Sequence, residues 1–447
     1  MAKQTMVTSV KSNNSMSTLK NVSVGIINLG IRKEKIKEIK LIRQKDIEID
    51  YPQFPLRLAS LISILKASGC DIKVLDLGIR GWIENTYDEL KDISSFLSEE
   101  YDLILLYQTV HTLSEIQRLS RMLNEVEKKN GIILVCANAT KKMASLILKK
   151  MKSYLDIVVY GEIELPFLLC NFNLSLEKLK GNPNVMYINA EQIKASRVGY
   201  LTEGLMNKLP LPAFEELALK DYVKINTHIP LNLSRGCSFN CKHCAVREVY
   251  GKSWRGFRLE KIRIMLERLK ELTNKNITCS LMDQDIVFNL DWLEGVCRIF
   301  KSSGISWDCK LRPDWLTEEV VNRLSSGNCR NVIVSADVLY DYNPHLAQSL
   351  GKIITLDTIK KAFLLCKEKG IKATLAVIPE FYPTTKSILK LVEACEASSV
   401  ALCPLRVFNT LSEDINILSS NLTEIIDKMK TEGIEISILS GMGEEGW

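Results

Sequence analysis

At 447 residues the chain is long enough for two or three domains with sizeable cores. Its 46% hydrophobic and 25% charged residues are ordinary for a globular protein and exclude a fibrous or wholly disordered chain. The 59 basic residues nearly offset 53 acidic ones, and the net charge of +6 is spread without a dense basic block, so nucleic acid is not expected as a partner. Lysine-rich stretches such as Lys33 to Lys40 read as solvated helix faces. No run of 18 apolar residues occurs, so no membrane span is expected. Met1 to Lys20 is polar, lacks the apolar core of a secretory signal and is expected to be a disordered tail. The 13 cysteines then read as reduced thiols of a cytoplasmic protein.

From Val22 short apolar runs alternate with helical periods. The strand pattern recurs at Val22–Asn28, Ile72–Leu77, Leu103–Tyr107, Ile132–Cys136 and Ile157–Tyr160. Helices are expected at Leu56–Ser68, with apolar residues at 58, 61, 62 and 65, and at Tyr87–Leu97, Leu113–Lys128 and Met143–Met151. That alternation predicts an α/β fold: a doubly wound, Rossmann-like domain over residues 21–170, binding ligands at the carboxyl ends of its strands. No G-x-G-x-x-G follows the first strand, so a dinucleotide is weakly indicated. Residues 171–227 lack sustained periodicity, carry Pro183, Pro210 and Pro212, and read as an ordered linker. A second series begins at Ile229. Strands are expected at 229–233, 277–282, 305–311, 331–336, 371–378 and 399–405, with helices at 259–273, 290–303, 316–326, 355–369, 384–397 and 420–431. Six βα units over 228–447 predict a partial (β/α)6 barrel, whose active site belongs at the carboxyl ends of the strands.

Directly after the first strand of that series stand Cys237, Cys241 and Cys244 at a C-x3-C-x2-C spacing. Three thiolates in a short loop converge on one small object. A closed zinc site and a fully protein-ligated [4Fe–4S] cluster both take four ligands. A cubane held by three leaves one iron open. Zinc and plain core cysteines are the alternatives.

The run Leu233 to Cys244, its Arg235-Gly236-Cys237 lead-in and the later Ser253-Trp254-Arg255 resemble the cluster loop of radical S-adenosylmethionine (SAM) enzymes. The resemblance is to the branch in which a cobalamin-binding domain precedes the radical SAM barrel. Tyr51-Pro52-Gln53-Phe54-Pro55-Leu56 resembles the Pro-rich lead into the first helix of such domains, and Gly161-Glu162-Ile163-Glu164 resembles the turn after their last strand. Cys136-Ala137-Asn138-Ala139 stands where they carry paired glycines. The resemblance implies a [4Fe–4S] cluster on the three cysteines. It implies SAM contacts from His243, Asp283, Gln284, Arg312, Ser335 and Asp337, and cobalamin contacts from Gln108, Thr109, Ala137, Asn138 and Glu162. Structural readings compete with these: an acidic helix start for Asp283, a surface salt bridge for Arg312 and an ordinary strand-end carboxylate for Asp337. Trp254, Arg255 and Arg258 either pack, shield the cluster or bind an anionic substrate. Tyr250, Tyr340 and Tyr342 receive no role. His111 reads as a satisfied histidine, because the cobalamin-ligating D-x-H-x-x-G motif is absent.

The implied activity is reductive cleavage of SAM at the cluster, hydrogen abstraction from a substrate, and cobalamin-dependent methyl transfer to an unactivated carbon. One alternative keeps the radical chemistry without methylation, with a vestigial cobalamin-type domain. Another is a non-catalytic Fe–S or zinc protein. The implied partners are a small-molecule or peptide substrate and a one-electron reductant such as a flavodoxin or ferredoxin.

Overall fold

The computed structural model describes residues 21–30, 52–84, 88–108, 123, 131–171, 173–242, 244–274, 276–403 and 420–438. Two seven-stranded sheets carry the fold. The first contains β1 (Ser23–Asn28), β2 (Asp71–Asp76), β3 (Leu103–Gln108), β4 (Ile132–Ala137) and β5 (Ile157–Gly161), parallel and ordered β2-β1-β3-β4-β5. β3, β4 and β5 are buried along their whole length, as strands covered on both faces must be. The strand order reverses between β1 and β3, so the crevice of this doubly wound sheet opens at their carboxyl ends. The expected tail 1–20, the Lys33–Lys40 face and the helix 113–128 lie outside the described residues, apart from Leu123.

Residues 171–227 hold more than a connection. They supply the hairpin β6 (Val185–Asn189) and β7 (Gln192–Ala195), which extends the first sheet antiparallel to β5. Asn189 pairs with Gln192, so Ala190 and Glu191 make the whole turn, with φ of 45° and 64°. Such turns favour Asn-Gly or Asp-Gly. Ala-Glu gives no hairpin signal, which is why the sequence reads as linker there.

The second sheet begins with β8 (His228–Leu231). After a small antiparallel pair, β9 (Ser234–Arg235) with β10 (Arg255–Gly256), it continues through β11 (Thr278–Leu281), β12 (Ser306–Leu311), β13 (Cys329–Ser335), β14 (Lys372–Val377) and β15 (Ser399–Leu402). A seventh strand, β16 (Glu435–Ile438), follows the six expected and pairs with β15. All seven are parallel, and each lies beside the next in the chain, giving a curled half-barrel. Strand alternation sorts its two faces: Trp307, Cys309 and Leu311 join the core under the helices, while Asp308 and Lys310 face the other way. One apolar core runs from one face of the first sheet, through helix Leu56–Ala67, to the helix side of the second sheet.

Helix Leu56–Ala67 is buried nearly all round, including Arg57, which is 1% exposed. Its guanidinium meets the Glu164 carboxylate through Nε (3.1 Å) and Nη2 (2.6 Å), and Nη2 also donates to Gly161 O (3.0 Å). From β9, in the small antiparallel pair, Arg235 forks onto the same carboxylate at 2.8 and 3.1 Å. Arg255 pairs with Glu162 at 3.2 Å, and Arg235 lies 3.7 Å from Glu162. This buried clamp joins the end of the first sheet to the β9–β10 pair. Burial alone would push the Glu164 carboxyl up, but Arg235 and Arg57 outweigh it and hold it well below the usual range.

Glu164→Gln leaves Arg57 and Arg235 buried without their anion. It should cost about 3–5 kcal/mol at neutral pH in chemical denaturation. The gap should narrow as pH falls below the ordinary glutamate value of 4.5, because the unfolded wild-type chain then takes up a proton that the clamp refuses.

Candidate functional site

The cysteine loop leaves β9 and returns at β10, where Arg235 pairs with Arg255 and Ser234 with Gly256. Gly236 follows the pinch with φ +89°, and a Cβ there would stand 2.2 Å from Ser253 O. Only glycine fits such a crossing. The loop is held from the barrel side too. Asp283, just past β11, accepts from Leu233 N at 3.1 and 3.2 Å and from Ser234 Oγ at 2.5 Å. Burial pushes its carboxyl up to about 6. Lys242 N donates to Leu350 O at 3.0 Å. Val246, Val249 and Tyr250 pack against Cys237 and Cys244.

All three cysteines line one cleft at the carboxyl ends of the half-barrel strands. Among the described residues, no three His, Cys, Asp or Glu side chains stand as ligands of a single ion. A cubane asks something different, since each thiolate takes its own iron. The thiolate donors, the glycine pinch and the surrounding cleft fit a cluster of that kind.

Four groups around the cysteines are built for a polar ligand. The Arg312 guanidinium lies 4.0 Å above the Phe239 ring and places Nη1 3.8 Å from Cys241 Sγ. Its Nε and Nη2 are held by Asp314 at 3.0 and 2.7 Å. Gln284 donates Nε2 to Met282 O at 3.0 Å, while its buried Oε1 has no partner among the described residues. That carbonyl is an acceptor waiting for a donor. Asp285, the last residue of the acidic turn Met282-Asp283-Gln284-Asp285, lines the same cleft. Burial pushes its carboxyl up to about 7, and Ser238 Oγ donates to it at 3.3 Å. Finally Ser335 Oγ donates to Asp337 Oδ1 at 2.5 Å, and Lys352 Nζ reaches Ser335 Oγ at 2.8 Å and Asp337 Oδ2 at 2.5 Å. Lys352 follows Gly351 with no motif around it, so nothing in the sequence singled it out. Lys310 also lines the cleft, and burial lowers its ammonium pKa.

Several sequence expectations change. Asp283 lines the cleft but spends its carboxylate on the base of the cysteine loop, so it positions the loop and is not the open acceptor; Gln284 is. His243 lies outside the described residues. Arg255 is 7% exposed and belongs to the clamp, which removes it as a substrate anchor. Trp254 stacks on Phe288 and meets Trp292 edge-on.

At the crevice of the first sheet, Gln108 ends β3. It is 3% exposed, and neither of its side-chain polar atoms finds a partner among the described residues. Ala137 is the buried last residue of β4, in register with Gly161. Asn138 takes φ +64°, so it supplies the left-handed turn that glycine otherwise makes. Its Oδ1 accepts from Tyr250 OH at 2.6 Å and Arg57 Nη1 at 2.8 Å, away from the crevice. Glu162 is fully buried against Arg255, Arg235 and Leu201 N, so its carboxylate joins the sheets and does not face a ring. Thr109 and His111 lie outside the described residues. The unpartnered amide of Gln108 and the left-handed strand end suit a flat ligand with polar edges.

A doubly wound sheet thus stands ahead of a parallel half-barrel, with three cysteines at the barrel mouth. Residues 231–392 match the radical SAM superfamily, and the chain carries a radical SAM domain. Its fold aligns with the radical SAM methyltransferase TsrM of Kitasatospora setae, solved with cobalamin and a [4Fe–4S] cluster bound (TM-score 0.64, 14% identity, 86% of this chain and 74% of that one). It also aligns with the cobalamin-dependent SAM radical enzyme OxsB, solved with aqua-cobalamin and SAM bound (TM-score 0.64, 16% identity, 93% of this chain and 56% of that one). At those identities the likeness is one of fold. Among curated proteins, the uncharacterized methyltransferase PH0819 of Pyrococcus horikoshii is 24% identical over 74% of this chain and 70% of its own length. The bacteriochlorophyllide d C-12(1)-methyltransferase of Chlorobaculum tepidum is 25% identical over 44% of this chain, which spans 40% of that enzyme. No described helix is long and apolar enough to cross a membrane.

Gly236→Ala should lower iron retention after anaerobic reconstitution about as severely as loss of a ligand, because the added methyl meets the Ser253 carbonyl head-on. Gly304→Ala, where a Cβ meets nothing within 4 Å, should leave iron content unchanged.

Proposed function

We propose that this protein is a cobalamin-dependent radical SAM methyltransferase that acts at an unactivated carbon of a small-molecule or peptide substrate. The observation that carries the reading is the single cleft in which Cys237, Cys241 and Cys244 meet Gln284, Arg312 and the Ser335–Asp337–Lys352 triad. When bound, a [4Fe–4S] cluster supplies the electron that cleaves SAM, and cobalamin supplies the methyl carrier. The chain's own part is to bind, orient and exclude water.

In this reading the three thiolates hold the cluster and leave one iron for SAM. Gln284 Oε1 accepts from the SAM ammonium. Arg312 offers Nη1 to the SAM carboxylate while Asp314 fixes the rest of the fork. Asp337, aligned by Lys352 and Ser335, accepts from the ribose hydroxyls. Gln108 and the Ala137–Asn138 turn face the corrin in the first crevice. Support for cobalamin comes from the strand order of the first sheet and from the cofactors bound in TsrM and OxsB. Support for methylation comes from the names of the curated relatives.

Cys237→Ala, Cys241→Ala and Cys244→Ala should each abolish 5′-deoxyadenosine release and most iron binding. Cys297→Ala and Cys395→Ala, buried in the core, should not. Arg312→Lys should weaken SAM binding about tenfold at normal iron content, since a point charge does not reproduce the fork. Incubation with reductant, SAM, methylcobalamin and candidate substrates should yield a product heavier by one CH2. A product of unchanged carbon count would replace methylation with rearrangement.

A further inference from the structure

The clamp has one branch that charge pairing does not require. Asn138 is uncharged, yet its Oδ1 accepts from both Tyr250 OH (2.6 Å) and Arg57 Nη1 (2.8 Å). Arg57 Nη1 also donates to Tyr250 OH at 3.2 Å, closing a triangle. The Tyr250 ring lies within cation–π range of Arg57 and Arg235, at 5.4 and 5.9 Å. Asn138 directly follows β4, whose neighbour β3 borders the reversal of strand order. The turn at Asn138 therefore forms part of the rim of the first crevice. A side chain on a left-handed turn at such a rim has two places to go, into the crevice or away from it. The triangle takes the carboxamide away, toward the second sheet.

We infer that Tyr250 is a positioning residue for the corrin. Acting through Asn138, its hydroxyl keeps the rim bare so that a flat macrocycle lies on the backbone of the Ala137–Asn138 turn. The inference rests on the cobalamin reading given above. Glycine would leave the rim bare by having no side chain; here asparagine reaches the same surface by having its side chain tied back. The tie comes from the other domain. Tyr250 packs with Val246 and Val249 against Cys237 and Cys244, so the helix that follows the cluster loop also shapes the first crevice. In Tyr250→Phe the carboxamide loses its hydrogen bond to the tyrosine hydroxyl, and Arg57 Nη1 holds it from a guanidinium that also serves Glu164 and Gly161. The carboxamide then swings into the crevice for part of the time and competes with the ring.

The test uses the full chain, reconstituted with its cluster, and hydroxocobalamin in equilibrium dialysis. Tyr250→Phe should raise the cobalamin Kd about tenfold with iron content unchanged, the scale expected for one lost buried hydrogen bond. Adding Asn138→Gly to Tyr250→Phe should bring the Kd back to within about twofold of wild type, because no carboxamide remains to restrain. Packing damage from the missing hydroxyl would not be rescued that way. Asn138→Leu, which keeps Tyr250 but cannot join the triangle, should weaken binding by a similar factor and stands in if Tyr250→Phe proves unstable. Equal affinity of wild type, Tyr250→Phe and Asn138→Leu overturns the inference, as does a double variant no tighter than Tyr250→Phe. A wild-type protein that retains iron but no corrin overturns the cobalamin reading itself and this inference with it.

Discussion

Three arginines and two glutamates stand out of water where the first sheet meets the β9–β10 pair, and the base of the cysteine loop is placed by how they pair. Removing an ion from water costs several kcal/mol, and a buried pair seldom recovers more than that cost. Glu164 receives two guanidiniums, Glu162 receives Arg255 with Arg235 close by, and the assembly keeps one net positive charge. Carbonyls of Gly161, Leu201 and Tyr250 take up further N–H groups, while Nε of Arg235 and Arg255 finds no partner among the described residues. Apolar side chains of the same volume would hold the sheets together as firmly. They would not forbid a slip. Any shift of one sheet against the other strands an ion, so the clamp fixes relative position more than it adds stability.

That fixed position reaches the chemistry through one covalent step. Arg235 ties the clamp to the β9–β10 pair, and Gly236 and Cys237 follow it directly. The β9–β10 pairing then brings Arg255 back to the same place, so the loop is anchored at both ends to the first sheet. From the barrel side Asp283 holds Leu233 and Ser234. Two independent supports therefore meet at the residues just before Cys237. The loop that carries the cysteines is open at its tip, where Ser238, Asn240 and Lys242 are exposed, and rigid at its base.

Much of this was legible in the chain. Continuous apolar runs such as Leu103–Tyr107 and the spacing of apolar residues in the barrel helices report local geometry, so most of the described strands and barrel helices could be read to within a few residues, while short helices such as Leu77–Ile83 and Pro344–Leu350 could not. Cys237, Cys241 and Cys244 were legible because a loop with that spacing has few other uses. The clamp was not. Glu164 lies 107 residues from Arg57 and 71 from Arg235, and periodicity carries no information across such distances. One local signal existed: Arg57 sits in LRLASLISILKA, a helix with no polar face to receive a charge. Lys352 and Asp337 are 15 residues apart across a turn and a helix, and only the fold pairs them. Asn138 was legible as a left-handed residue, but the partners that occupy its side chain were not.

The order in which the ribosome delivers these residues gives the clamp a history. Arg57, Glu162 and Glu164 emerge with the first sheet, before Arg235 and Arg255 exist to neutralise them. Until then two carboxylates share a single guanidinium, and that face of the sheet holds an excess negative charge that must stay wet. The half-barrel grows differently, each parallel strand settling beside the one made just before it, with no reversal of strand order. The arginines at the two ends of the arriving cysteine loop are what let both carboxylates leave water. Anchoring of the cysteine loop and burial of the two carboxylates become one event during synthesis.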